Sequence, residues 1–257
     1  MRQPRWRTGE TDWGLPPPGR WAALLEVRDL RLQLVHALTE GRRAAVLRRL
    51  AARTRPLVSL GSGPHVPAGW LGLDRAGRKP DGDAATYCWD LNRGLPFADG
   101  TLQGVLLEHA LEHLYLDDAV RLLAECRRCL APGAAIRVVS PDARFVADLV
   151  LGRANEQIRD QLRYDRDLHR WSGEIDVETR TANRICHQWG QHRCLLSARW
   201  CAQLLTSAGF TAATTVTPTT SQYFDPVPST HISKFPGPSH EAFGVEARVP
   251  ESIERPH

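Results

Sequence analysis

Residues 56–74 read PLVSLGSGPHVPAGWLGLD and contain two short apolar runs joined by a glycine-bearing loop. The first run stops at Gly61, where a backbone without side chains lets a ligand approach the main-chain amides closely. The second run stops at Asp74, whose carboxylate is suited to accept hydrogen bonds from ribose hydroxyls. This arrangement predicts one edge of a nucleoside-binding pocket.

The spacing within this stretch argues against a dinucleotide site. A dinucleotide fingerprint needs a third glycine at the start of a helix and an acidic residue about 20 residues further on. Here Val66 occupies the third glycine position, and Asp74 follows Gly61 by 13 residues. No helix of about three turns fits into that gap, so we do not expect a pyrophosphate on a helix N-terminus.

The composition fits one ordinary globular domain with an appendage. The chain has 257 residues, of which 42% are hydrophobic and 24% are charged, with a net charge of +4. We assign residues 1–55 to an N-terminal arm and helical extension, 56–250 to the main domain, and 251–257 to a polar tail. Apolar residues at helical spacing within 21–53 predict one or two helices, with Gly41 as a break between them.

Location and partners follow from the absence of certain patterns in the sequence. No apolar run approaches the roughly 20 residues that span a bilayer, and the first residues lack the apolar core of a secretory signal. We therefore predict a cytoplasmic protein without a membrane or nucleic-acid partner, and we interpret the arginine-rich residues 41–53 as a solvated helix surface. The six cysteines are predicted to be reduced thiols.

The middle of the chain alternates strand-like and helix-like segments. Such alternation predicts an α/β fold: a mostly parallel sheet of about seven strands with helices on both faces, closed by a C-terminal antiparallel hairpin. We predict strands at 57–60, 70–73, 85–89, 102–107 and 134–140. A helix is predicted over 117–130, ended by Pro132-Gly133, followed by one helical stretch from 143 to about 171, a polar segment, and a helix capped by Ser197.

The predicted strands end at small or polar residues. In a parallel sheet the carboxyl ends of the strands share one edge, and ligands bind beyond that edge. We therefore expect the strand ends to form one binding site. They are Gly61, Asp74, Asp90, Glu108 with His109, and Pro141 with Asp142.

Four segments together resemble a class I S-adenosylmethionine-dependent methyltransferase. They are LVSLGSG at 57–63, GWLGLD at 69–74, DLNRGLPFADGTLQGVLLEHALEHL at 90–114, and ECRRCLAPGAAIRVVSPD at 125–142. The resemblance covers about residues 56–250 and implies a Rossmann-like sheet with S-adenosyl-L-methionine as cofactor. More narrowly, the chain is similar to a bacterial, methyltransferase type 11-like branch with a shortened first helix.

The resemblance also implies residue roles. On the cofactor side, Gly61, Ser62 and Gly63 would contact the methionine portion and the ribose, and Asp74 would accept from the ribose hydroxyls. Asp90 and Leu91 would flank the adenine. Glu108 and His109 would face the sulfonium and the acceptor. One position departs from the family pattern, because Ser59 and Leu60 stand where an acidic residue often precedes the first glycine.

The expected chemistry needs little covalent machinery. The methyl group of a sulfonium is already activated, so the protein has to align the acceptor, exclude water and, for a hydroxyl acceptor, remove a proton. Histidine is suited to that proton transfer, and His109, His113 and His192 are the candidates. We predict methyl transfer to an oxygen or nitrogen of a small molecule, such as a sugar or a secondary metabolite.

Several alternatives stay open at this point. A protein of the same fold could bind the cofactor for non-methylating chemistry or act as a partner subunit, and homodimer formation is undecided. The residues His109-x-x-Glu112-His113 also match an inverted zinc-peptidase motif, but that motif needs a helix through both histidines and the surrounding sequence predicts a strand and a turn. We assign no metal site, although Cys186, His187, His192 and Cys194 form a ligand-like cluster.

Overall fold

The computed structural model describes residues 38, 40–63, 65–75, 85–153, 155–168, 176–229 and 239–251. Seven strands form one sheet in the order β3-β2-β1-β4-β5-β7-β6. The strands are β1 Leu57–Leu60, β2 Trp70–Asp74, β3 Ala85–Cys88, β4 Leu102–Glu108, β5 Leu130–Pro141, β6 Thr211–Val216 and β7 Ala242–Arg248. β1 to β5 run parallel, whereas β7 pairs antiparallel with both β5 and β6. The predicted α/β class, the mostly parallel sheet and the C-terminal antiparallel pair are confirmed.

The strand order places a topological switch point at β1. β1 pairs with β2 on one side and with β4 on the other, so the direction in which the sheet is built reverses there. Ligands of open α/β sheets bind in the crevice at such a point. The ends of β1 and β4 carry Gly61 and Glu108 into this crevice.

Six helices accompany the sheet in the described residues. They are α1 over 40–54, α2 Leu116–Cys129, α3 Ala143–Val150, α4 Glu156–Leu168, α5 Val177–His187 and α6 Ala198–Ser207. The main core lies on one face of the sheet, here called the helical face, where alternate strand residues such as Val58, Leu107 and Val138 cluster with side chains of α1, α2 and α6. A second, smaller core joins α3, α4 and α5. None of the described helices is long and apolar enough to cross a membrane.

The opposite face of the sheet, here called the loop face, carries Leu57, Trp70 and Gly104, which are register partners. It is covered by the segment 217–229: the rings of Phe224 and Trp70 lie 5.5 Å apart, and a Cβ added at Gly104 would lie 2.9 Å from the Phe224 ring. The short β1–β2 loop crosses the same face. The described residues of that loop include no helix, and the segment 217–229 packs directly on the sheet.

A buried ion pair anchors the beginning of this segment. Arg137 of β5 and Glu246 of β7 are fully buried register partners, with 2.6 Å between Arg137 Nη1 and Glu246 Oε1. Arg137 also donates to the carbonyls of Pro218 at 2.6 Å and Thr220 at 2.7 Å. Glu246 accepts from the hydroxyl of Ser221 at 2.6 Å. The two side chains therefore fasten the segment to the sheet.

Several boundaries predicted from the sequence are wrong. Gly41 is helical and lies in the first turn of α1, and the helix predicted before it falls on residues outside the described part of the chain. The helix predicted over 117–130 is found as α2 over 116–129, but it ends at Cys129, where the chain passes into β5, and not at Pro132-Gly133. The helical stretch predicted from 143 onward is interrupted at Gly152, whose φ is +64°, and the polar segment after it contains α5. The assignments that fall on residues 1–37 lie outside the described part of the chain.

Candidate functional site

The glycine loop and the acidic residue at the end of β2 form one hydrogen-bonded unit. Gly61 and Gly63 have left-handed backbones, with φ of +67° and +57°, and a Cβ at Gly61 would lie 2.7 Å from the Cβ of Ala110. The amide of Gly63 donates to Asp74 Oδ2 at 2.9 Å, and Ser62 between the two glycines is buried. The predicted nucleoside residues are therefore brought together, and only glycine fits the crowded first position.

Asp90 and Leu91 follow the end of β3 at the same edge. Asp90 Oδ1 accepts a hydrogen bond from the amide of Asn92 at 3.1 Å and so caps a short 3-10 turn, Leu91–Arg93. The amide of Trp89 donates to the carbonyl of Asp74 at 3.0 Å. This bond holds the start of the Asp90 turn beside the end of β2, as a nucleoside pocket requires.

Glu108 and His109 occupy the end of β4. Glu108 is buried, and its Oε1 accepts a hydrogen bond from the hydroxyl of Ser229 at 2.8 Å. Ser229 is absent from the sequence-based prediction because it lies 121 residues further along the chain. His109 has a φ of +50°, an uncommon conformation for a residue other than glycine. Strained backbone of this kind is often found at functional sites.

Glu112 is almost completely buried and is held by two side chains. His109 Nδ1 lies 3.1 Å from Glu112 Oε1, and the hydroxyl of Ser140 donates to Oε2 at 3.2 Å. Burial alone would raise the pKa of the Glu112 carboxyl, but the hydrogen bond and charge of His109 outweigh it and the pKa is lowered. Burial likewise opposes the charged form of His109, yet Glu112 raises the pKa of that imidazole. The two groups form an internal ion pair.

His113 and His192 stand beside Glu112. Their ring centroids lie 4.9 Å apart with the rings nearly perpendicular, and one ligand atom from each of Glu112, His113 and His192 lies within 4.8 Å of the others. His192 Nδ1 is 2.6 Å from the carbonyl oxygen of Ile185 and so donates its proton there. Burial lowers the pKa of His192. These three residues are named the acceptor-side cluster below.

The structure thus brings all three predicted histidines to one place around Glu112. His109 contacts the carboxylate directly, and His113 and His192 lie next to it. The importance of Glu112 and Ser140 was not predicted. Glu112 stood in the H-x-x-E-H match, but the long-range contact with β5 that gives it its surroundings leaves no local signal in the sequence.

The geometry of the two metal motifs in the sequence differs from what they require. His109 follows β4 in a left-handed conformation and His113 lies on a 3-10 turn, Leu111–His113, so no α-helix carries both histidines. Of the predicted cluster, Cys186 packs against the second core and Cys194 Sγ donates to the carbonyl of Leu111 at 3.5 Å. Within the described residues, His192 is the one member of that cluster in a metal-ligand group.

Comparison with known proteins supports the resemblance. Residues 73–138, from the end of β2 into β5, match the family described as Methyltransferase domain. This match over 66 of the 257 residues agrees with the predicted class I S-adenosylmethionine-dependent methyltransferase type, with its enzyme class and with its cofactor. A search of curated proteins found no match.

Three of the solved structures with a similar fold are methyltransferases at low sequence identity. One is a Haloferax volcanii methyltransferase in complex with the Trm112 activator, at 16% identity, with 90% of this chain and 96% of that chain covered and a TM-score of 0.41. Another, from Archaeoglobus fulgidus, has 13% identity, coverage of 84% and 94%, and a TM-score of 0.42. Human N-acetylserotonin methyltransferase in complex with S-adenosylmethionine has 15% identity, coverage of 93% and 61%, and a TM-score of 0.42.

Proposed function

We propose that this class I S-adenosylmethionine-dependent methyltransferase transfers its methyl group to an oxygen or nitrogen of a small molecule, in the class of sugars and secondary metabolites. One observation carries the proposal. The Gly63 amide and the Asp74 carboxylate form a closed unit at the switch point of the sheet, next to the polar end of β4. A nucleoside bound at the Gly63–Asp74 unit would present its reactive group to the polar end of β4.

The cofactor side follows from the residues at the strand ends. The Gly63 amide donates to Asp74 Oδ2 and so orients the carboxylate, which would accept hydrogen bonds from the ribose hydroxyls. The left-handed glycines expose backbone amides to the methionine portion. Asp90 and Leu91 would flank the adenine, and Glu108 and His109 the sulfonium.

The acceptor side has to deal with one proton. In the transfer, a lone pair of the acceptor oxygen or nitrogen forms the new bond to the methyl carbon, and the S–C bond breaks with its electrons left on sulfur. The acceptor's proton then leaves. His109 is poorly suited to take it, because its ion pair with Glu112 favours the protonated imidazole. The acceptor-side cluster is the better place for that proton.

A second candidate function rests on the end of β1. Ser59 and Leu60 have no carboxylate that could bind the methionine amine, and both are buried. A protein that binds the cofactor without transferring its methyl group, or that serves as a partner subunit, would be compatible with this change. Cytoplasmic location and homodimer formation remain predictions.

Calorimetry separates these functions when it is followed by a turnover assay. We expect the purified chain to bind S-adenosylmethionine and its demethylated product. We also expect it to add one methyl mass to a component of a metabolite extract only when the cofactor is present. Cofactor binding without any methylated product would favour the second candidate. If neither nucleoside binds, the methyltransferase proposal is wrong.

A further inference from the structure

We propose that Glu112, His113 and His192 bind a divalent transition-metal ion, and that zinc is the ion this ligand set suits best. Two imidazoles and one carboxylate are the protein ligands of many catalytic zinc sites, in which a fourth position is left for water or substrate. These ligands differ from both metal motifs in the sequence, since they combine the end of one motif with a residue of the other.

The distances are compatible with coordination after small side-chain rotations. The three ligand atoms lie within 4.8 Å of one another. Ligands about 2.1 Å from a tetrahedral zinc ion are about 3.4 Å apart. Side-chain rotations that move the two imidazole nitrogens by roughly an ångström toward the carboxylate would bring the three ligand atoms to that separation.

The surroundings of the ligands resemble those of histidines that bind metals. The Nδ1 proton of His192 is donated to the Ile185 carbonyl at 2.6 Å, which leaves the lone pair on Nε2. That Nε2 atom is buried and has no hydrogen-bond partner among the residues that the structure describes. A backbone carbonyl that fixes the tautomer in this way is the usual outer contact of a histidine ligand.

The carboxylate is oriented as well. Ser140 holds Oε2 of Glu112 at 3.2 Å, and His109 holds Oε1 at 3.1 Å. Each oxygen keeps a second lone pair for an ion. Glu112 is 1% exposed, whereas His113 and His192 are partly exposed. An ion therefore has a path past the two imidazoles, and its open coordination position would lie on their side.

The role of the ion in the reaction rests on the proposed function, whereas its binding does not. Ser140 and Glu112 lie near the ends of β5 and β4, where the acceptor would meet the cofactor. A hydroxyl bound at the open position would lose its proton to solvent more readily, because a divalent cation stabilises the oxygen anion; with the ion bound, the cluster would act through the metal instead of taking the proton on an imidazole. The oxygen would then attack the methyl carbon. This favours acceptors that present a metal-binding hydroxyl.

The competing explanation is a purely structural Glu112–His109 ion pair. Such a pair neutralises the buried carboxylate without an ion and makes no use of the His192 Nε2 lone pair. The two explanations differ in whether the full-length chain takes up metal and in which substitutions abolish that uptake.

Metal titration of the full-length, chelator-treated chain tests the proposal. We expect one equivalent of Zn²⁺ by calorimetry, and one equivalent of Co²⁺ with the visible absorption of a tetrahedral site. His192→Ala and His113→Ala should each weaken binding by a factor on the order of 100. His187→Ala is the matched control, because His187 is exposed, lies in the same region and is outside the cluster. It should bind like the parent.

Failure to bind either ion at micromolar concentration would overturn the proposal, as would equal binding by His192→Ala and the parent. If the histidine variants do not fold, Ser140→Ala gives the same test more mildly, with an expected loss of about 10-fold. Calorimetry with S-adenosylmethionine on the same samples keeps the two proposals apart. A chain that binds the cofactor but no metal refutes only the metal site, and the reverse result refutes only the methyltransferase.

Discussion

At the scale of single residues, the decisive group is the Asp74 carboxylate. It accepts from the Gly63 amide at 2.9 Å, and in the proposed function it also accepts from the ribose. Asp74→Ala removes both, and we expect the affinity for S-adenosylmethionine to fall by a factor on the order of 100, as for the loss of charged hydrogen bonds of about 1.5–3 kcal/mol each. Calorimetry measures this loss.

Asp74→Asn is the matched control for the loop. Its amide oxygen can still accept from Gly63, but the charge is gone, so we expect a smaller loss of about 10-fold. Should the alanine variant bind the cofactor as tightly as the parent, the assignment of Asp74 to the ribose would have to be abandoned.

Residues of this kind were predictable where the signal was local. Gly61 and Asp74 were found because each ends an apolar run, and the parallel sheet then places them together. Ser229 and Ser140 were not predictable. Their importance comes from contacts with Glu108 and Glu112 that link distant parts of the chain, and a serine in isolation carries no sign of such a partner.

At the scale of elements, the packing of the segment 217–229 on β4 depends on a missing side chain. A Cβ at Gly104 would lie 2.7 Å from Leu57 Cδ2 and 2.9 Å from the Phe224 ring. We therefore expect Gly104→Ala to lower the free energy of unfolding by about 1–3 kcal/mol through overpacking. Urea denaturation measures the change.

Gly41→Ala is the control, for which we expect the free energy of unfolding to rise instead of fall. Gly41 lies inside α1, and an added Cβ would have nothing within 4 Å. Since alanine favours the helix over glycine, we expect a gain of up to about 1 kcal/mol. A loss of stability at Gly41, or none at Gly104, would contradict the packing described for these elements.

The anchor of the same segment gives a second prediction at this scale. Arg137→Met would leave Glu246 buried without its cation, and we expect a loss of about 3–5 kcal/mol in unfolding free energy. Arg163→Met removes an exposed pair with Asp160 and should change the free energy by less than about 1 kcal/mol. Similar effects of the two substitutions in urea denaturation would speak against a buried anchor.

Two helices show which elements could be predicted from the sequence and which could not. α6 was predicted because Ser197 marks its start, and the structure shows the Ser197 hydroxyl accepting from the Trp200 amide. α5 was missed because its sequence is polar, and of its few buried residues Ala182 and Ile185 join the second core. Its N-cap, Asp176, is a residue that often begins a helix. No clear apolar periodicity accompanies it in the sequence, so the cap alone did not indicate a helix.

At the scale of the whole molecule, the sheet order joins cofactor binding to folding. The glycine loop, the end of β2 and the turn after β3 belong to three different strands, and a bound nucleoside would contact all of them. A ligand that binds only the folded state stabilises it by about 2.7 kcal/mol at 100 times its Kd. We expect S-adenosylmethionine to raise the Tm by several degrees in a thermal scan.

Asp74→Ala should abolish most of this shift, and its Tm without cofactor should also be lower than that of the parent because the hydrogen bond from the Gly63 amide is lost. A cofactor-induced shift as large in the variant as in the parent would show that the stabilisation arises elsewhere in the molecule.

The overall sheet was predictable from the alternation of segments, because each strand and helix carries its own period. The coverage of the loop face was not, since 217–229 has no period at all.

The segment 217–229 has one more consequence. It is fixed at one end by Arg137 and Glu246 in the sheet and at the other by the Ser229 hydroxyl on Glu108. The same 13 residues therefore contribute to the fold and contact Glu108 at the proposed site. A substitution in this segment that changes the preferred acceptor would also change the packing of the segment on the sheet. We therefore expect acceptor preference and Tm to change together in variants of 217–229.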